Sequence, residues 1–229
     1  MNYGLRHIKA ELGLMTLFYF ISLLLSSCAS KGNNAADTQN TKQIKVKTFS
    51  STNMDTVTFG AGCFWCVEAV FQRLKGVQSV KSGYSGGNVK NPSYKEVCNG
   101  TTGHAEVCQI VYNKDEISFE ELLEVFWKTH DPTTLNSQGN DFGTQYRSAI
   151  FYHSEEQKVI AEKYKAKLNE VKAYEQPVIT EITAFTNFYP AEDYHQNYFN
   201  ANGSAPYCKF VIQPKLEKFE KVFKDKIKQ

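Results

Sequence analysis

The residues that most clearly could do chemistry are two cysteines, Cys63 and Cys66. Cys63 directly follows the segment Gly60-Ala61-Gly62. The glycines allow a tight backbone turn, and the apolar pattern that follows predicts a helix opened by Cys63. At a helix N-terminus, unpaired amides and the helix dipole favour a thiolate. Cys66 lies one turn further on, within disulfide reach in a Cys-x-x-Cys motif. The spacing therefore predicts thiol redox chemistry with Cys63 as the nucleophile.

Two other interpretations of this cysteine pair involve no redox chemistry. Half of a zinc site would require a second close pair of Cys or His residues, and Cys98, Cys108 and Cys208 are not spaced in that way. Two buried structural cysteines are the other alternative, but an ordinary core helix would seldom begin Gly-Cys-Phe-Trp-Cys. The redox interpretation is favoured over both.

The elements predicted around this motif form one domain of mixed type. Alternating apolar residues predict strands at 55–59, 77–84, 106–112, 148–152 and 178–183. Helical periodicity and capping residues predict helices at 63–75, 93–98, 118–126, 154–172 and 214–228, with a loop over 134–147. Because strands and helices do not alternate strictly, we expect a two-layer α+β sandwich of the ferredoxin-like plait type. It would have a mixed sheet and a long C-terminal extension.

The N-terminal segment has the features of an export signal. Weakly basic residues at 6–9 precede an apolar run of about 14 residues from Leu12 to Leu25. Such a run is short for a bilayer crossing of roughly 20 residues and typical of a signal-peptide core. The sequence Leu25-Ser26-Ser27-Cys28 then resembles a bacterial lipobox, in which the cysteine is acylated. An ordinary signal peptide that happens to contain a cysteine is the alternative.

These features divide the chain into three predicted parts. Residues 1–27 are a lipoprotein-type signal peptide, residues 28–54 a flexible polar tether, and residues 55–229 the catalytic domain. Cys28 would anchor the exported protein to a membrane, facing the periplasm or the cell exterior. The formal net charge of +2 gives no reason to expect nucleic acid as a partner, and we expect a monomer.

Seven stretches of the chain resemble the A-type peptide methionine sulfoxide reductases, a family specific for the S epimer of methionine sulfoxide. The matching stretches are Gly62-Cys63-Phe64-Trp65, Gly83-Tyr84-Ser85-Gly86-Gly87, Asn91-Pro92-Ser93-Tyr94, Thr102-Gly103-His104-Ala105-Glu106, His130-Asp131-Pro132, Gly139-Asn140-Asp141-Phe142-Gly143-Thr144-Gln145-Tyr146-Arg147-Ser148 and Ala191-Glu192-Asp193-Tyr194-His195-Gln196. They occur in the order of the family, which argues against a chance similarity.

The resemblance implies a role for four of these side chains in attack on the sulfoxide. Cys63 would attack the sulfur, and Phe64 and Trp65 would form the apolar wall that holds its methyl group. Glu106 would protonate the departing oxygen, because a carboxyl group in an apolar site can keep its proton near neutral pH. The alternative for Glu106 is a solvent-facing position on its strand.

Three more side chains are implied at the oxygen. Tyr94 and Tyr146 match the hydroxyls that hydrogen-bond it, and Asp141 matches a polar carboxylate of the site. The plainer alternatives are core packing for the two tyrosines and a turn position for Asp141. A metal site built from the histidines is not expected, because they lie far apart without ligand spacing.

The sulfenic acid left on Cys63 needs a second, resolving thiol. Many relatives have glycine at the position of Cys66, so the chain departs here from the commonest motif and offers both Cys66 and Cys208. Cys208 is slightly favoured, because it is expected on a mobile segment, whereas a helical Cys66 could point away from Cys63.

The expected partners are oxidised proteins and peptides together with a thioredoxin-like thiol donor. No bound cofactor is expected, since the chain has neither a dinucleotide-binding nor a phosphate-binding glycine motif. Two rival functions remain open, a lipid-anchored binding module with an inert Cys63 and a thiol–disulfide exchange protein.

Overall fold

The fold is built on one large sheet with helices packed against it. The computed structural model describes residues 53–228. The strands are β1 (Met54–Ala61), β2 (Val77–Ser85), β3 (Ala105–Asn113), β4 (Ser137–Gln138), β5 (Asp141–Phe142), β6 (Ser148–Tyr152), β7 (Glu181–Ala184) and β8 (Tyr189–Pro190). The helices are α1 (Phe64–Phe71), α2 (Tyr94–Cys98), α3 (Phe119–Thr129), α4 (Glu155–Glu170), α5 (Tyr198–Ala201) and α6 (Gln213–Val222), with a π-helical turn at Cys208–Ile212.

The strand order in the large sheet is β7-β6-β1-β3-β2-β8. β1 pairs antiparallel with β3 and β6, β2 pairs antiparallel with β3 and β8, and β6 and β7 are parallel. β4 and β5 form a separate two-stranded hairpin. The predicted mixed α+β fold with a mixed sheet is thus confirmed, while the ferredoxin-like plait stays a prediction.

The two faces of the large sheet carry cores of different size. Cys108, Ile110 and Tyr112 of β3 are buried in the main core together with the apolar residues of α1 and α3. The alternate β3 residues Ala105 and Val107 belong to a small cluster with β6 residues. Because successive strand residues face opposite sides, Glu106 points to the same side as the main core. This register places its carboxyl group beneath the start of α1.

Helix starts follow the predicted capping signals closely. Ser93 with Glu96 and Ser118 with Glu121 each form a complete capping box, at the first residues of α2 and α3. A capping box satisfies amides that the helix itself leaves without partners. These boundaries are set by residues three positions apart, which explains why they are visible in the sequence.

Several predicted boundaries differ from the structure. The helix expected over 63–75 ends at Phe71. The segment 134–147, expected to be a loop, contains the β4–β5 hairpin. The strand expected from Val178 begins only at Glu181, because the backbone amide of Val178 donates to Asn169 Oδ1 at 2.7 Å instead of to a strand. The last helix ends at Val222, and Ile227 beyond it forms a β-bridge with Leu74.

Candidate active site

The turn before α1 places Cys63 directly before the first residue of the helix. Gly62 has a φ of +87°, and a Cβ atom there would lie 2.6 Å from the Cβ atom of Gln138. Gln138 cannot easily move away, because its side-chain amide is held by two hydrogen bonds. Its Oε1 accepts from the backbone amide of Asp131, and its Nε2 donates to the carbonyl oxygen of Asp131. Only glycine fits such a turn without strain. Cys63 is consequently the N-cap residue of α1, as the sequence predicts.

The thiols of Cys63 and Cys66 share a hydrogen bond. Burial raises the pKa of the Cys63 thiol, and the bond with Cys66 raises it further. The same bond, together with the charge of Lys215, lowers the pKa of Cys66 to about 7. The two thiols are therefore coupled, and the pair can carry one negative charge near neutral pH. The Cys63 thiolate forms when its proton passes to Cys66.

Glu106 is a buried acid next to the thiol pair. Its side chain is on β3 and only 1% exposed, and its Oε2 accepts the backbone amide hydrogen of Phe64 at 3.1 Å. Burial is the main cause that raises the pKa of Glu106 to about 8, with smaller contributions from the charges of Asp141 and Cys66. At pH 7 the carboxyl group therefore carries a proton. The solvent-facing alternative for Glu106 is excluded.

An aromatic cluster surrounds the start of α1. Phe64 is fully buried, whereas Trp65 is partly exposed. The indole Nε1 of Trp65 donates to His195 Nδ1 at 3.2 Å, and the ring of Tyr198 stacks on the indole with centroids 3.7 Å apart. Together these contacts fix the orientation of the indole. His195 and Tyr198 were not singled out from the sequence as site residues, although His195 lies in one of the matching stretches.

Tyr94 and Tyr146 lie close enough to the acid to experience its charge. Both side chains are partly buried. Burial raises the pKa of both phenols, and the charge of Glu106 adds to this effect. The two hydroxyl groups therefore remain protonated and can donate hydrogen bonds. The structure thus brings both predicted tyrosines to the Glu106 region.

Asp141 reaches the thiols through Tyr207, a residue that sequence reasoning missed. The hydroxyl of Tyr207 donates to Asp141 Oδ2 at 2.6 Å and lies 4.0 Å from Cys66 Sγ. Its ring also packs edge-on against Trp65. Tyr207 therefore connects the carboxylate, the second thiol and the aromatic cluster. No local pattern distinguishes it from other tyrosines in the C-terminal segment.

The environment of Cys208 differs from the expected mobile loop. Cys208 is fully buried in the π-helical turn that leads into α6, and this turn packs against α1. Apolar packing holds the turn in place, since Ile212 at its other end is also fully buried. Its role as resolving cysteine stays a prediction. Cys28 lies outside the described residues.

Two of the remaining histidines have structural contacts. The imidazole of His104 forms hydrogen bonds with the backbone of Gly87 and Val89. The imidazole of His130 forms hydrogen bonds with the carbonyl of Phe126 and the hydroxyl of Ser148. Within residues 53–228, no three His, Cys, Asp or Glu residues are grouped so that they could hold a metal ion.

Comparison with known proteins agrees with this arrangement. Residues 55–227 match the family described as peptide methionine sulfoxide reductase. The chain is 58% identical over 177 residues to peptide methionine sulfoxide reductase MsrA of Sulfolobus acidocaldarius, covering 76% of this chain and 97% of that protein. It is 56% identical over 176 residues to MsrA of Saccharolobus solfataricus, with 76% and 98% covered.

Two solved structures share the fold. Reduced Mxr1 from Saccharomyces cerevisiae superposes with a TM-score of 0.63 at 36% identity, covering 72% of this chain and 94% of that one. Methionine sulfoxide reductase A of Corynebacterium diphtheriae gives 0.61 at 35% identity, with 67% and 77% covered. Since the family match spans the whole described domain and the relatives are covered almost completely, the chain belongs to the peptide methionine sulfoxide reductase family.

Proposed function

We propose that this protein reduces methionine S-sulfoxide, free or within oxidised proteins, to methionine. The observation that carries this proposal is the protonated, buried Glu106 beside a hydrogen-bonded thiol pair. A sulfoxide needs a nucleophile for its sulfur and an acid for its oxygen, and the site offers both within one apolar region. The test is turnover of the two separate epimers of a methionine sulfoxide model substrate. Reduction of the S epimer alone is expected.

The first step transfers oxygen from the substrate to Cys63. Cys63 passes its proton to Cys66 across their hydrogen bond and attacks the sulfoxide sulfur as a thiolate. Glu106 gives its proton to the sulfoxide oxygen, which Tyr94 and Tyr146 hold by hydrogen bonds. The protonated oxygen then moves as hydroxyl from the substrate sulfur to Cys63. The bond between the two sulfurs breaks, methionine leaves as a thioether, and Cys63 is left as the sulfenic acid.

The apolar walls and Asp141 complete the recognition of the substrate. Phe64 and Trp65 enclose the methyl group, and the fixed indole supplies a flat apolar surface. Asp141 holds the hydroxyl of Tyr207 next to the thiols. Orienting the polar S–O group and the methyl on opposite sides selects one epimer, because the mirror arrangement would exchange them.

The second step forms a disulfide and releases water. Cys66, which holds the proton taken from Cys63 in the first step, gives it to the hydroxyl of the sulfenic acid and attacks the sulfur of Cys63. The sulfur–oxygen bond of Cys63 breaks and water leaves. Contact with Cys63 supports Cys66 as the resolving thiol, against the slight preference for Cys208 that the sequence alone suggests. Cys208 would have to leave a buried helical turn to reach Cys63. A thioredoxin-like dithiol donor then reduces the disulfide, and the protein needs no bound cofactor.

The choice between the two resolving candidates is testable by mutation. We expect Cys66→Ser to reduce donor-linked turnover by at least about tenfold, because without this thiol the sulfenic acid has no neighbour. Cys208→Ser should retain turnover within about twofold of wild type, because the Cys208 thiol takes no part in the Cys63–Cys66 disulfide. Single-turnover reduction is the control. It should be unchanged in Cys208→Ser and slowed at neutral pH in Cys66→Ser, where Cys63 lacks the group that takes its proton, so donor-linked turnover of each variant is compared with its own single-turnover rate. A Cys63–Cys208 peptide as the main disulfide in mass spectra would contradict this assignment.

We further propose that the protein is exported and anchored by acyl chains on Cys28, facing the periplasm or the cell exterior. The support is the Leu25-Ser26-Ser27-Cys28 motif after a short apolar run. Among residues 53–228 there is no helix of the length and hydrophobicity that a membrane span requires.

Replacing Cys28 tests the anchor. We expect Cys28→Ala to leave the protein uncleaved or soluble, because each buried acyl CH₂ contributes about 0.8 kcal/mol to membrane binding. The measurement is the distribution between membrane and soluble fractions, together with the mass of the N-terminus. If the cleaved variant stayed with the membrane as fully as wild type, the lipid anchor would be refuted.

A further inference from the structure

A cavity of about 580 Å³ leads from the surface to the two thiols. It lies between α6 with the preceding π-helical turn on one side and the β4–β5 hairpin on the other. Cys63 and Cys66 both line it, and they are 8% and 3% exposed. A reagent that must reach either sulfur can therefore approach through this cavity.

The cavity has apolar walls and a basic rim, and we refer to the surface formed by Phe210, Val211, Val222, Lys128, Lys215 and Lys218 as the α6 groove. Phe210 is 80% exposed, which is unusual for so large an apolar side chain. The Nζ atom of Lys128 lies 2.7 Å from Oε1 of Glu124, and Glu124 does not line the cavity. Among the described lining residues, Asp141 alone is acidic, and its Oδ2 is engaged by Tyr207. The groove thus suits a partner with apolar and acidic side chains.

Of the groups assigned to recognition of the sulfoxide, Asp141 alone lines the cavity of the α6 groove. In the described part of the chain, Trp65, Glu106 and the two tyrosines of the oxygen site are outside the cavity lining. Lys215, by contrast, lines the cavity together with Cys66 and acts on its thiol through space. The groove therefore gives access to the thiol pair without exposing Trp65, Glu106 or the two tyrosines.

We propose that the α6 groove is the docking surface for the protein reductant, a dithiol protein whose reactive cysteine lies on a protruding tip bordered by apolar and acidic residues. The proposal rests on the proposed function. The reductant thiolate attacks Cys63, the Cys63–Cys66 bond breaks, and Cys66 leaves as a thiolate beside Lys215. The second reductant thiol then attacks the mixed disulfide, which releases Cys63 as a thiolate and leaves the reductant oxidised to its own disulfide.

The experiment compares a protein reductant with a small one. Turnover of a sulfoxide model substrate is measured with an acidic bacterial thioredoxin and, separately, with dithiothreitol. Phe210→Ser and Lys218→Glu should each raise the KM for thioredoxin about five- to tenfold, as expected for loss of a contact at the centre of an interface. Turnover with dithiothreitol should stay within about twofold, because a small thiol needs no docking surface. At high salt the KM of Lys218→Glu for thioredoxin should come closer to that of wild type, whereas salt should not have this effect on Phe210→Ser.

Matched controls come from α4, where Val159 is an exposed apolar residue and Lys163 an exposed lysine. Val159→Ser and Lys163→Glu should leave both activities unchanged. An unchanged KM for thioredoxin in both groove variants would overturn the proposal. The proposal would also be overturned if the groove variants raised only the KM for an oxidised protein substrate, measured with dithiothreitol as the reductant. The groove would then bind the oxidised substrate protein. Failure of the proposed function is distinct, because wild type would then reduce no sulfoxide with either reductant.

Discussion

Cys63→Ser is expected to abolish sulfoxide reduction, with a loss of about 10⁴-fold or more, as for removal of other catalytic nucleophiles. A serine hydroxyl at this position stays protonated and is a far weaker nucleophile toward sulfur. Neither Cys66 nor Cys208 can replace it, because neither is the N-cap residue of α1 beside Glu106. The measurement is a single turnover without reductant, scored by the methionine formed per protein chain.

The controls for this variant concern folding and binding. Its unfolding midpoint should remain close to that of wild type, because Cys63 is the N-cap residue of α1 and serine is favoured at that position. Binding of the sulfoxide should also persist, because Phe64 and Trp65 are unchanged. Activity near that of wild type would refute the nucleophile and favour the binding-module alternative. Reduction of insulin by wild type, without reduction of sulfoxide, would favour the thiol–disulfide exchange alternative.

The features that could be predicted from the sequence are those set by neighbours in the chain. The glycine turn before Cys63, the capping box of Ser118 with Glu121 and the alternation along β3 each depend on residues a few positions apart. They were enough to predict a nucleophile at a helix start and the strand that carries Glu106, whereas the buried position of Glu106 was expected only from the family resemblance. The family resemblance added what these two groups do.

The features that could not be predicted depend on contacts between distant segments. Tyr207 and Tyr198 reach the start of α1 only because the C-terminal segment folds back over it. Cys208 follows a Gly- and Pro-containing stretch that indicates a mobile loop, yet packing against α1 buries it in a helical turn. Likewise, the pKa order of the two thiols follows from their shared hydrogen bond and from Lys215, more than a hundred positions away along the chain.

Glu106→Gln is expected to slow the chemical step by roughly 10²–10⁴-fold, the usual contribution of a general acid. The glutamine amide can still accept the hydrogen bond from Phe64, so the helix start should be preserved. What it cannot do is give a proton to the sulfoxide oxygen. The control is Glu156→Gln at an exposed position of α4, which should retain full activity. A loss below about threefold in Glu106→Gln would mean that another group supplies the proton.

The pH dependence separates this role from a merely structural one. In wild type the rate of the chemical step should rise as the thiol pair ionises around pH 7, where the pKa of Cys66 lies. The rate should fall again as pH increases through about 8, because Glu106 with its raised pKa then loses the proton that it must donate. Glutamine does not titrate, so the fall at high pH should be absent in Glu106→Gln while the rise near pH 7 remains. If the rate of Glu106→Gln still fell at high pH, a different acid would be responsible for that fall.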